Sequence, residues 1–271
     1  MKKAFLFLVL ANIFVLAHAG IKFSELEPEP KTFLISIGID KFSQTNWNLN
    51  YCVADAKGIF DSFQNIDENN KVFLADEAAT KSTIENNINR IVNMMNTNDT
   101  LILFVATHGF FDKNDFYFTP NDFKFDNISN NYIGDTNTGI SSNWLLEVLY
   151  DKVKNNSNNI VLILDTCHSG SMGFDVRKSY NEKTGAGLAL LYSCSPLELS
   201  YENISYGGGH GLFSYCIIEG LNGTADKNKD GIITFRELYD YCYLKVKELS
   251  QDKQNPVFIG AMNNNAIIKK Y

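Results

Sequence analysis

The chain is poor in cysteine, and its few cysteines are spaced in a way that excludes two common structural roles. Cys52, Cys167, Cys194, Cys216 and Cys242 are odd in number, and no two of them form a CxxC pair. This pattern is neither a disulfide framework nor a zinc site. It leaves open whether some of them pair in an oxidising compartment, but the odd count leaves at least one free thiol to explain.

Positive charge is also scarce. The sequence has 24 Lys and Arg against 31 Asp and Glu, a net charge of -7, and loss of Lys2 and Lys3 with an N-terminal signal would leave 22 against 31, or -9. A surface this acidic argues against a nucleic-acid partner and against an anionic membrane as partner.

The apolar segment near the N-terminus lacks the length of a membrane span. It runs from Ala4 to Leu16, is preceded by two lysines, and is followed by Ala17-His18-Ala19, the small-x-small pattern cut by signal peptidase. We predict a signal peptide at 1–19 and a protein that is periplasmic or secreted, with no membrane contact after signal removal. The alternative is an uncleaved membrane tether. No cysteine follows the cut, which argues against a lipoprotein.

After a short acidic leader at 20–31, strand and helix patterns alternate, as in a doubly wound α/β domain with a mostly parallel sheet and helices on both faces. We therefore predict one domain from 32 to 271. Apolar runs of strand length occupy 32–39, 71–75, 101–109, 159–167 and 187–195, with a final extended segment at 257–263. Apolar residues at helical spacing predict helices over 53–66, 141–153, 210–220 and 234–249, and one that opens with a capping box at Ser82–Glu85.

Two of the predicted strands end in reactive residues. His108 and Gly109 follow LILFVAT, and Cys167 follows VLILDT. The carboxyl ends of parallel strands lie along one edge of a sheet, so these residues can meet there. A thiolate is a strong nucleophile, and an imidazole generates it and later protonates a leaving amine. The backbone N–H groups of Gly109 and Cys167 would form an oxyanion hole, and we expect no organic cofactor.

A structural role is the competing interpretation of both side chains. A lone cysteine in a strand is often a small buried hydrophobe, and a lone histidine is usually a satisfied structural group. Two features favour a His108–Cys167 dyad: a glycine follows each residue within three positions, and an unpaired thiol in an exported protein invites oxidation. The neighbouring His168 would point away from the nucleophile in an extended segment.

THG after one hydrophobic strand, with DTCHSG ending the next long one, resembles the metacaspase and bacterial caspase-like branch of the caspase-type cysteine peptidases, family C14. The order and spacing of the matching strings, over most of 32–260, are more specific than any one of them. The resemblance implies a three-layer caspase-like α/β domain, a His108–Cys167 dyad and an oxyanion hole lined by Gly109. The further strings are LNYCVADA (49–56), YFTPND (117–122), SCSPLELSYE (193–202), GHGLFSYCIIEGL (209–221) and QNPVFIG (254–260).

The resemblance also implies an acidic substrate pocket. It places Asp165, two residues before the nucleophile, and Asp55, in the CVADA stretch, around the residue that precedes the scissile bond. Two carboxylates held close need a cation between them, and an Arg or Lys side chain of a polypeptide substrate supplies it. The alternative role for Asp55 is a charge partner at the N-terminus of a helix.

The segment DKNKDGIITFRE at 226–237 has the ligand spacing of an EF-hand calcium loop. Alternate residues of such a loop point oxygen atoms inward, and the final glutamate closes the shell with both oxygens. We predict a structural Ca²⁺ site; the alternative is a turn that merely caps the helix beginning near Thr234. The ligands would be Asp226, Asn228, Asp230, the carbonyl of Ile232, Thr234 and Glu237.

One position departs from the family pattern. Metacaspases that need calcium commonly carry an Asp-Asp pair ahead of the helix before the catalytic strand, and here Ser141-Ser142 stands there. We therefore do not expect calcium activation at that place.

The sequence as a whole predicts an exported, monomeric cysteine endopeptidase. The alternatives are a catalytically silent caspase fold kept as a calcium-stabilised binding module, and a nonpeptidase thiol hydrolase, which would not need two pocket acids.

Overall fold

A six-stranded sheet lies at the centre of the protein. The computed structural model describes residues 29–112, 115–125, 134–156, 158–166, 187–195, 198–260 and 262–271. The predicted signal peptide, the leader up to residue 28, and the expected nucleophile Cys167 lie outside the described residues. Within the ranges given, no helix is long and apolar enough to cross a membrane.

The central sheet is mostly parallel. Its strand order is β12-β8-β7-β3-β1-β2, and only β12, at one edge, runs antiparallel to its neighbour. The described strands, in chain order, are β1 (Thr32–Gly38), β2 (Lys71–Ala75), β3 (Thr100–Ala106), β4 (Gly109–Asp112), β5 (Asp115–Phe118), β6 (Ile140–Ser141), β7 (Asn159–Asp165), β8 (Leu188–Tyr192), β9 (Glu202–Asn203), β10 (His210–Gly211), β11 (Ile232–Thr234), β12 (Val257–Gly260) and β13 (Ile267–Lys270).

Helices cover both faces of this sheet, which confirms the predicted three-layer α/β class. Two helices, α2 and α3, pack into one hydrophobic core, and α1, α4 and α5 pack into the other. The helices of the described ranges are α1 (Cys52–Asp61), α2 (Lys81–Met94), α3 (Ser142–Asn156), α4 (Leu212–Glu219) and α5 (Phe235–Ser250).

The strand sequences explain why there are two cores, because alternate side chains of a strand point to opposite faces. In β3, Leu101 and Leu103 belong to the core under α2 and α3, whereas Ile102 and Phe104 belong to the core under α1, α4 and α5. Every residue of β3 is buried. A strand covered on both faces must be apolar throughout, and this is why LILFVA shows no alternation.

The capping box predicted at Ser82–Glu85 is wrong, because α2 starts earlier. Its N-cap is Thr80, whose side chain accepts the backbone N–H of Thr83, so the helix begins at Lys81. The N–H of Lys81 is bound by the carboxylate of Asp122 at 2.8 Å. This partner lies 41 positions away, and local sequence does not reveal it.

Other elements also differ from the expectation, and the strands predicted over 101–109 and 187–195 end earlier, at Ala106 and Tyr192. The helix predicted over 53–66 ends at Asp61, and the chain then turns toward β2. The strand β13 was not predicted. It pairs antiparallel with β11, the strand that leads into α5.

The pairing of β3 with β7 fixes which residues share the carboxyl edge of the sheet. The two strands run parallel with Ala106 opposite Asp165, the last residue of β7. His108 follows Ala106 by two residues. The register therefore brings the expected catalytic histidine and one expected pocket acid to the same edge.

Because β3 is buried on both faces, removing side-chain volume from it should strongly lower the free energy of unfolding. Leu103 is fully buried, so Leu103→Ala should lower the free energy of unfolding by about 2–5 kcal/mol. Leu244, on α5, is 67% exposed, and Leu244→Ala should change it by less than about 0.5 kcal/mol. Urea unfolding followed by circular dichroism measures both. Equal midpoints for the two variants would contradict the assignment of β3 to the core.

Candidate active site

His108 lies just beyond the end of β3, where the chain turns into the hairpin of β4 and β5. Its Nε2 atom is 2.8 Å from the carbonyl oxygen of Trp47, in a short 3-10 turn at Thr45–Trp47. A carbonyl only accepts hydrogen bonds, so Nε2 carries the ring proton. In the neutral ring Nδ1 then keeps its lone pair and can accept a proton.

Three aromatic rings surround His108. The ring centroids of Phe42, Trp47 and Phe125 lie 5.4, 5.9 and 5.8 Å from its own. Gln44 fixes Phe125, because its side chain accepts the N–H of Phe125 at 2.7 Å and donates to the carbonyl at 3.1 Å. Burial lowers the pKa of His108 below its usual 6.5, although the bond to the Trp47 carbonyl raises it. The imidazole is therefore held toward the neutral form that a proton acceptor needs.

Gly109 occupies a crowded position beside the end of β7. A β-carbon there would lie 2.4 Å from Cζ of Phe116 and 2.8 Å from Oγ1 of Thr166, so no side chain fits. The N–H of Thr119 donates to the carbonyl of His108 at 3.0 Å, which fixes the peptide between His108 and Gly109. The backbone of Gly109 thus lies against Thr166, the last described residue before Cys167.

The structure brings Asp55 and Asp165 together. Asp55, in the first turn of α1, is 3% exposed, and Asp165, at the end of β7, is 8% exposed. Both approach Gly211, where a β-carbon would lie 2.6 Å from Oδ2 of Asp165 and 3.1 Å from Oδ2 of Asp55. The absent side chain of Gly211 leaves the space into which both carboxylates point.

Asp55 lies in the first turn of α1, where an acid can act as a charge partner of the helix N-terminus, but the free N–H groups there are bound by another acid. Asp40 follows β1, and its carboxylate accepts the N–H groups of Cys52 at 2.8 Å and Val53 at 3.2 Å, the first two residues of α1. The carboxylate of Asp55 makes its own hydrogen bonds to the segment that begins α4.

Asp165 accepts hydrogen bonds from two serine hydroxyls. Ser200 and Ser214 each donate an Oγ–H to it at 2.6 Å. The segment that carries Ser200 is held in place by the fully buried side chain of Gln254, whose Oε1 accepts the N–H of Tyr201 at 3.0 Å. The carboxylate is therefore oriented from two separate parts of the chain.

Asp55 is bound by a histidine and a backbone N–H. His210 Nδ1 lies 2.7 Å from Oδ1 of Asp55, and the N–H of Gly211 donates to the same oxygen at 3.1 Å. The pKa of Asp55 is raised to about 7, because burial and the charge of Asp165 raise it by more than the bonds from His210 and Gly211 lower it. The two acids thus interact as like charges in a dry environment.

His108 and the two acids line one cavity of about 50 Å³. It lies at the carboxyl edge of the sheet, where ligands bind in open α/β folds. The arrangement can hold a cationic group beside a proton acceptor. The other lining residues are Leu49, Cys52, Thr107, Ser200, Tyr201, Glu202 and Gly211.

Sequence reasoning gave no role to Trp47, Ser200, His210 or Ser214. Ser200 lies 35 positions from the acid that it binds, and His210 lies 155 positions from its own. The last three fall within or beside strings that carry the family resemblance. Those strings indicate which segments lie near the site, but they do not show which polar side chain binds which carboxylate.

The loop at 226–237 lies apart from this cavity, and its polar side chains fold back on its own backbone. Asp226 accepts the N–H of Gly231 at 3.0 Å, and Asn228 accepts that of Asp230 at 3.0 Å. The loop thus forms a tight turn closed by side-chain oxygens, the donor type that Ca²⁺ prefers.

The end of this loop forms a helix cap. Thr234 and Glu237 make a reciprocal capping box at the start of α5, and Ile232–Thr234 forms β11. Across the described residues, no group of three or more His, Cys, Asp or Glu side chains is gathered as a metal site. The loop therefore caps α5 in the fold, and Ca²⁺ binding by the loop stays a prediction.

The described cysteines Cys52, Cys194, Cys216 and Cys242 are buried. Burial raises the pKa of the Cys52, Cys216 and Cys242 thiols, which disfavours the thiolate. None of these three has the environment of a nucleophile.

Comparison with known proteins agrees with the fold. The chain matches the caspase domain of peptidase family C14 over residues 32–267. It is similar in structure to protein GSU0716 from Geobacter sulfurreducens, with a TM-score of 0.60 and 14% identity over 86% of this chain and 94% of that one. At that identity the likeness shows the fold alone. No curated protein has a significant match. Because the family match covers most of the sequence, the chain belongs to the caspase-domain cysteine peptidases of family C14.

Proposed function

We propose that this protein is an exported, monomeric cysteine endopeptidase that cleaves polypeptides after Arg or Lys. The observation that carries the proposal is the shared cavity, in which two buried carboxylates and a histidine with an available Nδ1 face the same space. The family match supports peptide hydrolysis in general, and the cavity supports the finer assignment.

The proposed chemistry uses His108 and Cys167 as a dyad. His108 lies two residues beyond Ala106, Cys167 lies two residues beyond Asp165, and Ala106 pairs with Asp165 in the sheet. Nδ1 of His108 takes the thiol proton, and the thiolate sulfur attacks the carbonyl carbon of the scissile bond. The imidazolium then gives that proton to the leaving amine, and a water molecule hydrolyses the resulting thioester. The N–H groups of Gly109 and Cys167 would stabilise the oxyanion.

The proposed specificity follows from charge. Asp55 and Asp165 are nearly dry, and an aspartate or glutamate side chain of a substrate would add a third carboxylate beside them. A guanidinium or ammonium group instead offsets their repulsion and forms charge-assisted hydrogen bonds. A nonpeptidase thiol hydrolase would have no use for such a pair of acids.

Replacement of either dyad member should remove activity. We expect Cys167→Ala to abolish hydrolysis of Arg- and Lys-terminated fluorogenic peptides, and His108→Ala to lower kcat/KM by about 10²- to 10⁴-fold. Cys242→Ala, which removes a fully buried thiol from α5, is the matched control and should keep turnover below the melting temperature. Near wild-type turnover by Cys167→Ala would end the proposal and would favour the silent binding module.

Removal of one pocket charge should reduce selectivity for basic residues. Asp165→Asn keeps the shape of the side chain but loses its charge, so we expect kcat/KM for Arg and Lys peptides to fall about 10- to 100-fold. Glu202→Gln, at an exposed acid that lines the same cavity, should change kcat/KM little. A wild-type enzyme that cleaves best after Asp would show that the pocket has been assigned to the wrong substrate class.

We also propose that the loop at 226–237 binds Ca²⁺ as a structural site. The support is its oxygen donors at EF-hand spacing and its separation from the cavity, with which it shares no residue. Ser142, where calcium-dependent metacaspases carry an acid, donates its hydroxyl to Asp115 at 2.6 Å. That contact supports the view that calcium acts here through stability and not through the family's activating position.

Calcium should therefore raise the melting temperature and leave the chemical step unchanged. At a hundredfold excess over Kd the stabilisation is about 2.7 kcal/mol. Glu237→Gln should lose this gain, and because Gln also serves in a capping box, the loss would report the metal and not the cap. Thermal melts with calcium and with chelator, run beside peptide turnover, measure both effects. Glu248→Gln, on the exposed side of α5, is the control.

Two outcomes would contradict the calcium proposal. An unchanged wild-type melt would leave the loop as a helix cap only. Turnover that disappears on chelation while the protein stays folded would show that calcium is an activator.

A further inference from the structure

One titratable side chain that contacts a residue of the cavity has no part in the chemistry described so far. His210 lies on β10, where it pairs with Asn203 of β9, and its side chain is 17% exposed. Its Nδ1 atom binds Oδ1 of Asp55 at 2.7 Å. The imidazole therefore contacts a pocket acid and belongs to neither the proposed dyad nor the oxyanion hole.

The surroundings of this contact leave little freedom to the ring. A β-carbon at Gly58 would lie 3.6 Å from Cε1 of His210, and one at Gly207 would lie 3.1 Å from Cδ2. The backbone of α1 thus packs on one edge of the imidazole and the segment before β10 on the other. The ring is held where Nδ1 faces Asp55.

We propose that His210 is a positioning residue for substrate recognition: it orients the carboxylate of Asp55 and keeps it ionised beside Asp165, and so sets the pH range in which the pocket binds a basic side chain. The inference rests on the proposed cleavage after Arg or Lys, and it adds the group that prepares the pocket for that substrate.

The physical reason is the repulsion between two buried acids. Asp165 and burial both favour a protonated Asp55, and a protonated carboxyl offers no charge to a guanidinium. The hydrogen bond from His210 is the strongest influence that lowers the pKa of Asp55, which stands at about 7. Removal of that bond should shift the titration of Asp55 to higher pH.

Other titratable groups near Asp55 are placed less directly. Glu202 lines the same cavity, and Asp40 binds the N–H groups of Cys52 and Val53 at the start of α1. His108 lines the same cavity but binds Trp47. Of these groups in the described structure, only His210 donates a side-chain hydrogen bond to Asp55.

The test is the pH dependence of KM and kcat for a peptide with Arg before the scissile bond, and for the same peptide with uncharged citrulline. For the wild type, KM for the Arg peptide should fall as pH rises through about 7, because Asp55 ionises there. In His210→Ala the fall should move up by about one pH unit, which corresponds to a KM about fivefold higher at pH 7, with kcat within about twofold. The citrulline peptide should show no shift.

His210→Asn is the conservative variant. An asparagine amide can donate from nearly the position of Nδ1 but does not titrate, so it should restore the wild-type KM profile. A merely structural role of His210 would change kcat and KM together and for both peptides alike. Superimposable KM profiles of wild type and His210→Ala would overturn the proposal.

A second variant keeps the proposal testable if His210→Ala does not fold. Asp55→Asn has no carboxyl to titrate, so its KM for the Arg peptide should be raised and independent of pH between 6 and 8. Persistence of the wild-type inflection in Asp55→Asn would assign that inflection to another group and reject the role of His210. A wild-type enzyme that does not cleave after Arg or Lys would instead reject the proposed function itself.

Discussion

The burial of two carboxylates side by side is the constraint on which the rest of this site depends. Asp55 and Asp165 sit at the carboxyl edge of the sheet and share the space left by Gly211. Like charges in a dry place are costly unless hydrogen-bond donors and cations surround them. Ser200, His210, Gly211 and Ser214 supply such donors, so this part of the cavity is organised by the need to satisfy the pair.

These donors come from two segments that follow β8. The segment before β9 supplies Ser200, and the junction of β10 with α4 supplies His210 and Ser214. Neither segment is part of the central sheet, and each is tied down by further hydrogen bonds, as Gln254 shows for the first. Specificity and local stability are therefore coupled here, because a change in a donor alters both the orientation of an acid and the packing of its segment.

The histidine side of the cavity is built on a different principle. The imidazole of His108 is enclosed by aromatic rings, and its hydrogen-bond partner among the described residues is the Trp47 carbonyl. Apolar enclosure disfavours the imidazolium, whereas the acid side of the cavity favours cations. One small cavity thus holds an imidazole in apolar surroundings next to a pair of carboxylates, and the two environments stay distinct because hydrophobic rings cover one and hydroxyl and N–H donors cover the other.

The sequence by itself determined the α/β class, the order of the main strands and the residues that come to the reactive edge, because strands buried on both faces must be apolar and parallel strands end on one side. It also marked Asp55, His108 and Asp165, through strand ends and the family resemblance. Tertiary structure alone decided the partners of these residues, namely the Trp47 carbonyl, the two serines and His210. It also decided the start of α2, which a contact with Asp122 fixes. A hydrogen bond between residues as many as 155 positions apart leaves no periodicity in the sequence, since any polar side chain satisfies the local pattern and only the packed chain selects the one that reaches.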